Sequence, residues 1–274
     1  MEMIICLTET FFHTSFLYER LKKHQILWVA RNERNLDKSV LSDVHAELSR
    51  KSNLTDKDLN ILRRAYNGLS LSEEYLAKIY GVPSLHAMSS TFLIDTQNLS
   101  EDFLIEHQEE IKKYSPDGAI IFLDVILGRY WLDFFKNRIV NAHSAVLPFA
   151  RGMYAIEQTA ALGISNEMEN AAGATIHYVD SGIDTGAIIK SEKIKNLWMK
   201  ESIWAVKGES YLLAFRLLDD YLFGENKFTL TDAISGHGHK PGPLFMSKTF
   251  TPEKQKIAEQ RFLEMKEDVM NVRC

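Results

Sequence analysis

The stretch VNAHSAVLPFARG, residues 140–152, sets Asn141 and His143 two positions apart where an apolar run gives way to a loop. If RIVNAH (138–143) is a strand, both side chains point to one face at its C-terminal end, because strand side chains alternate. In an open parallel sheet, ligands bind at that end. An amide can donate to an oxyanion and an imidazole can move a proton near neutral pH, a pairing suited to acyl transfer. The competing reading is that both residues only satisfy backbone groups where strand meets loop. A second stretch, ATIHYVDSGIDTGAII (174–189), runs a strand into Asp180 and then presents Asp184 between Gly182 and Gly186. These glycines are expected to supply positive φ or to let a ligand approach closely. A carboxylate at Asp184 can orient or deprotonate a histidine, or relay a proton through water. Taken alone, DSGIDTG reads first as a turn held by its aspartates.

The elements that must position these residues follow from the pattern of apolar runs. Short β-like runs fall at MIICLT (3–8), ILWVAR (26–31), GAIIFLD (118–124), RIVNAH (138–143), ATIHYVD (174–180) and AIIKSEKI (187–194), alternating with helical patterns. That alternation predicts an α/β fold, a mostly parallel twisted sheet flanked by helices. Residues 32–113 are the exception: they are polar, charged and helical in pattern, with one β-like stretch at SSTFLI, and read as a helical insertion. Residues 1–194 are thus expected to form the main domain and 195–274 a C-terminal helical and loop extension. In that extension, apolar positions from Ile203 to Leu222 predict a long helix stopped by Gly224. Thr251 followed by Pro252 predicts the N-cap and first residue of a last helix.

Composition narrows the function classes. Hydrophobic residues make up 45% and charged residues 25%, which is ordinary for a globular chain. A net charge of -5 argues against a nucleic-acid partner, which would need clustered lysine and arginine. The two cysteines, Cys6 and Cys274, form no disulfide framework and no metal-like pair. The opening MEMIICLTETFF has neither a basic n-region nor an apolar run long enough to span a bilayer, so no signal peptide and no membrane association is expected and the expected compartment is the cytoplasm. GHGH (236–239) is too weak a pattern for a metal site.

Taken together, the two clusters resemble the 10-formyltetrahydrofolate-dependent formyltransferases. The resemblance is carried by NAHSAVLP, ARG and VDSGIDTG. It covers about 118–194 well, the first two strands loosely and the rest hardly at all. It implies a Rossmann-like fold, 10-formyltetrahydrofolate as formyl donor, no metal, and Asn141, His143 and Asp184 as the catalytic trio. Asn141 and protonated His143 would stabilise the oxyanion formed when an amine attacks the formyl carbon, and Asp184 would hold the imidazole and accept the amine's proton through water. The resemblance further implies that Asp124, Val125, Ile126 and Leu127 offer backbone groups and ring contacts to the pterin, opposite the loop Asp180–Asp184 that contains Gly182. For Val125 and Leu127 the alternative is core packing. His177 is expected to line the site or to be a satisfied strand histidine.

Departures from the family pattern bear on the acceptor. Family members that bind a phosphoribosyl acceptor have a glycine-rich loop after the first strand, whose amides hold the phosphate. Here TETFFHTSF contains no glycine. Phe12 and His13 are candidates for acceptor contact or for packing at the start of the first helix, and Arg151 either fixes an acidic group of the acceptor or pins its own loop. The expected acceptor is a small-molecule amine: N5-hydroxyornithine or a similar siderophore precursor, with a nucleotide-linked amino sugar as the alternative. A homo-oligomer is left open. A formyltetrahydrofolate hydrolase and a non-catalytic binding module remain as readings of other classes, although no Gly-x-Gly-x-x-Gly follows a strand.

Overall fold

A computed structural model of the chain describes residues 3–85, 93–114, 117–224, 227–229 and 241–272. These fall into two compact units, Met1–Asn141 with Asp219–Thr229, and Ala142–Leu218 with Leu230–Cys274.

The first unit contains β1 (Ile4–Glu9), α1 (Thr14–Leu21), β2 (Ile26–Arg31), α2 (Lys38–Leu48), α3 (Asp56–Ala65), α4 (Leu71–Tyr80), β3 (Leu93–Thr96), α5 (Glu101–Tyr114), β4 (Ala119–Phe122), α6 (Arg129–Phe134) and most of β5 (Ile139–His143). The strands lie in the order β3-β2-β1-β4-β5, and each neighbouring pair is parallel. Every residue of β1, β2 and β4 is buried. That explains why these strands read as continuous apolar runs instead of alternating ones: helices cover both faces of a parallel sheet. The α/β expectation holds, with strand limits within two residues of those read from the sequence.

The insertion is helical as expected, with β3 as its strand. Its helices start where side chains can take up free amides. Asp37 caps α2, while Thr55 with Asp58 and Ser70 with Glu73 form reciprocal capping boxes on α3 and α4. His45 on α2 is buried, with Nδ1 2.7 Å from the Pro83 carbonyl and Nε2 2.7 Å from the Tyr66 hydroxyl. Burial takes its pKa down to about 4, so it serves as a neutral strut within the insertion.

The second unit takes up the chain at the end of β5. It continues with β6 (Arg151–Gly152), α7 (Ala155–Ala160), α8 (Ser165–Ala171), β7 (Gly173–Tyr178), β8 (Ile188–Lys193), α9 (Ile203–Phe223), β9 (Leu244–Phe245) and α10 (Pro252–Val272). Strands β7 and β8 are antiparallel, with a register shift between Ile176 and His177. Such irregularities re-aim side chains. A short parallel pairing of β6 with β9 links two segments far apart in sequence. The core of this unit gathers Ile156, Met168, Trp198, Ile203, Phe262 and their neighbours. Helix α10 begins as read: Thr251 Oγ1 accepts from Lys254 N at 3.3 Å, and Pro252 is the first helical residue. Among the described residues, no helix is long and apolar enough to cross a membrane.

Candidate functional site

The centre of the site lies in the second unit, where three segments bring two imidazoles to one carboxylate. His143, the last residue of β5, is 8% exposed. Its Nε2 is 3.1 Å from the Ala150 carbonyl and its Nδ1 is 3.6 Å from Asp184 Oδ2. His177 on β7 has Nδ1 2.8 Å from the Tyr178 carbonyl and Nε2 3.5 Å from Asp184 Oδ1. Each ring thus sets one nitrogen against a backbone carbonyl and turns the other toward the same carboxylate. A neutral imidazole has one N–H, so it can satisfy its carbonyl or Asp184, but not both. Taking up a proton lets a ring satisfy both.

Backbone geometry places the carboxylate. Asp184 adopts φ 52, a left-handed conformation that aspartate tolerates better than most side chains. Its Oδ2 accepts the Gly152 amide at 2.7 Å. Gly152 itself has φ +85, and a Cβ there would stand 2.0 Å from the Phe245 carbonyl oxygen. Only glycine fits. Gly182 and Gly186 would allow positive φ, but neither adopts it, and the left-handed residue of that loop is Asp184 itself. What Gly182 and Gly186 provide is room, since a Cβ would meet Thr185 Oγ1 at 2.1 Å and the Tyr178 carbonyl at 1.8 Å respectively. Asp180 holds the turn, with Oδ1 accepting from Gly182 N at 3.0 Å and Thr185 Oγ1 at 2.7 Å.

Electrostatics follow from this packing. The Asp184 carboxyl is held well below the usual carboxylate range: burial opposes ionisation, but the His143 charge, the His177 hydrogen bond and the Gly152 amide outweigh it. His143 is pushed below its ordinary value, first by burial and further by the charges of His177 and Lys207, against the pull of Asp184. The resting ring is neutral at neutral pH. The imidazolium implied by the family resemblance is thus a form that the site must make, not one that it stores.

Asn141 stands on β5 two positions before His143, on the same side of the strand, and is half-buried. Ser144, next to His143 in the chain, leads to a set of residues that the motifs do not mark. Lys207 on α9 is 4% exposed; its Nζ is 2.6 Å from Ser144 Oγ and 3.6 Å from Glu157 Oε2 on α7, and it lies 4.7 Å from the Tyr211 ring centroid. The available signal was a single lysine beside the buried stripe Ile203, Val206, Ser210 and Ala214. Arg151 points its guanidinium to the Gly242 carbonyl at 3.3–3.4 Å, which favours the loop-pinning alternative.

The remaining candidates lie in the first unit. Phe12 is fully buried and packs edge-on against Phe16 and Tyr66. His13 is buried, its Nδ1 2.9 Å and its backbone N 3.2 Å from Glu73 Oε1 of the insertion. Val125 and Ile126 follow β4 and are 37% and 72% exposed, so core packing is excluded for Val125; Leu127 is half-buried. Asp124 is fixed by charge. The β1–β2 register sets Glu9 opposite Arg31, whose Nε is 2.9 Å from both Glu9 oxygens, and Arg31 Nη2 bonds Asp124. Burial and the neighbouring Asp124 push Glu9 up to about 8, against the opposing Arg31. Since that value lies above an ordinary glutamate's 4.5, the folded state holds a proton that the unfolded chain releases, and stability falls as pH rises across that window. The expected loss is on the order of 4 kcal/mol. Thermal melting from pH 5 to 8 should show a decline that Glu9→Gln flattens; an equally steep decline in the variant would assign the proton elsewhere. Among the described residues no group could hold a metal ion, and the GHGH stretch lies outside them.

The first unit is a mostly parallel α/β sheet of Rossmann-like type, and the second gathers two histidines about one carboxylate. Comparison adds to this: residues 80–203 match the family model described as Formyl transferase, in keeping with the resemblance read from the motifs. The chain is 36% identical over 70 residues to a phosphoribosylglycinamide formyltransferase of Bacillus subtilis, covering 26% of this chain and 33% of that protein. It is 29% identical over 104 residues to a methionyl-tRNA formyltransferase of Finegoldia magna, covering 38% and 31%. The chain therefore spans about a third of the length of these curated relatives. A sugar N-formyltransferase from a Shewanella species shares the fold with a TM-score of 0.56 at 13% identity, over 95% of this chain and 88% of that one.

Proposed function

We propose that the protein is an N-formyltransferase that moves a formyl group from 10-formyltetrahydrofolate to the amine of a small molecule. The observation that carries this reading is Asp184 set between His143 and His177, with Asn141 on the same strand as His143. Formyl transfer needs little more. As the amine nitrogen bonds to the formyl carbon, the carbonyl oxygen gains negative charge and the amine must lose a proton. As the C–N bond to the folate breaks, the leaving nitrogen must gain one. Asn141 would donate to the oxyanion. His143, neutral at rest, would accept a proton, gain its ion pair with Asp184, and return the proton to the leaving nitrogen. The reaction then balances without a metal and without a covalent enzyme intermediate. Val125 and Ile126 would face the pterin.

The state of the loop after β1 supports an acceptor without a phosphate at that place. The amides of Phe11, His13, Ser15 and Phe16 are already bonded to Thr14 Oγ1, Glu73 Oε1, Phe12 O and His13 O, and one of these partners is itself a carboxylate. This favours N5-hydroxyornithine or a similar siderophore precursor over a phosphoribosyl amine. A second reading, a nucleotide-linked amino sugar, is favoured by the Shewanella sugar N-formyltransferase, whose fold matches along 95% of the chain.

One assay tests the proposal and divides the readings. The protein is mixed with 10-formyltetrahydrofolate, tetrahydrofolate release is followed by absorbance, and products from a panel of hydroxylamines and nucleotide-linked amino sugars are identified by mass spectrometry. Release that depends on an amine, with a product heavier by one formyl group, is the expected result. Release independent of amine would make the protein a hydrolase, and no release with any amine would overturn the transfer reading.

A further inference from the structure

A lysine buried beside a catalytic imidazole is costly to desolvate, and the second unit of this chain contains one. Lys207 is 4% exposed, and its short contact is the Ser144 hydroxyl at 2.6 Å, not the carboxylate of Glu157 at 3.6 Å. The latter distance exceeds a hydrogen bond, and Glu157 Oε2 has no hydrogen-bond partner although Glu157 is only 2% exposed. The ammonium thus leans toward the strand end that carries His143 and away from its counter-ion. A pair optimised for stability alone would close that distance. Ser144 in turn follows His143 directly in the chain.

We propose that Lys207 is a positioning residue of the transfer reaction, one that fixes the turn after β5 through Ser144 and sets the electrostatic field in which His143 works. This rests on the function proposed above. Against the His143 ring stand Asp184 from the loop after β7, His177 from β7 and the Ala150 carbonyl, while Lys207 of α9 reaches the next residue, Ser144, with Glu157 of α7 beyond the lysine. Asp184 draws a proton onto the ring, while Lys207 and His177 oppose it. An imidazolium formed between them is a stronger acid than one beside Asp184 alone, and gives its proton more readily to a departing nitrogen. Burial pulls the Lys207 pKa below its ordinary value, and the Glu157 carboxylate opposes that fall.

The test reads the His143 ring directly. In the full chain, the His143 ring protons are followed by NMR against pH in the wild type, in Lys207→Met, and in the double variant Lys207→Met with Glu157→Gln, which leaves no unpaired buried charge. Both variants are expected to titrate at higher pH than the wild type, and Lys207→Arg to stay near it. The acid limb of the pH–rate profile for tetrahydrofolate release should move up in parallel. If Lys207→Met fails to fold, the double variant carries the test. An unchanged His143 titration in a folded variant, with only a lowered melting temperature, would reduce Lys207 to a structural residue and overturn the proposal. Because the NMR titration needs no substrate, its outcome is separate from that of the transfer assay.

Discussion

Replacing His143 by alanine is expected to lower amine-dependent tetrahydrofolate release by about 10²- to 10⁴-fold, the usual loss when a general acid–base group is removed. The attacking amine must shed a proton and the leaving nitrogen must take one, and His143 is the ring whose neighbours make both states accessible. When neutral it is held by the Ala150 carbonyl at 3.1 Å, and when charged it gains Asp184 at 3.6 Å. His177 has the same relation to Asp184, but its place on β7 gives it no Asn partner on its own strand. The variant should still fold, because it loses one hydrogen bond to a carbonyl, a cost of about 1 kcal/mol, together with the contacts of one ring. Initial rates at saturating amine, compared with the melting temperature, check the prediction. A full rate in a folded variant would remove His143 from the chemistry.

How much of this was legible in the sequence depended on the range of each interaction. The strands of the first unit were legible because a parallel strand buried on both faces is a continuous apolar run, and β1, β2 and β4 are that. The start of α10 was legible because Thr251 and Pro252 act on residues next to them. The Asp184 loop was legible as a loop, but not in its conformation: the residue with positive φ is Asp184 itself, whose carboxylate accepts the Gly152 amide. That bond joins two segments well apart in sequence, and periodicity does not report it. The same holds for the contact of Glu73 with His13, for Lys207 with Ser144, and for the pairing of β6 with β9. Each needs the fold before the partners are near.

Replacing Asp184 by asparagine is expected to reduce the transfer rate by a similar factor, about 10²- to 10⁴-fold, but with a different signature. Asparagine keeps the shape and can still accept the Gly152 amide through its carbonyl oxygen, so the loop should hold. What is lost is the charge. Two imidazoles then face an amide, and the one anion that raises the His143 pKa is gone. The His143 titration should therefore move down in Asp184→Asn, opposite to its movement when Lys207 is neutralised. Stability adds an independent check of sign. The folded Asp184 carboxyl lies below its ordinary 3.8, so the unfolded chain binds the proton first as pH falls. The stabilisation from this carboxylate is fully present above pH 3.8 and is lost as pH drops toward the folded value. The variant should melt below the wild type at neutral pH and approach it in acid. Parallel melting curves across pH, with transfer rate and His143 titration both unchanged, would mean that the essential carboxylate lies elsewhere and that Asp184 only shapes its loop.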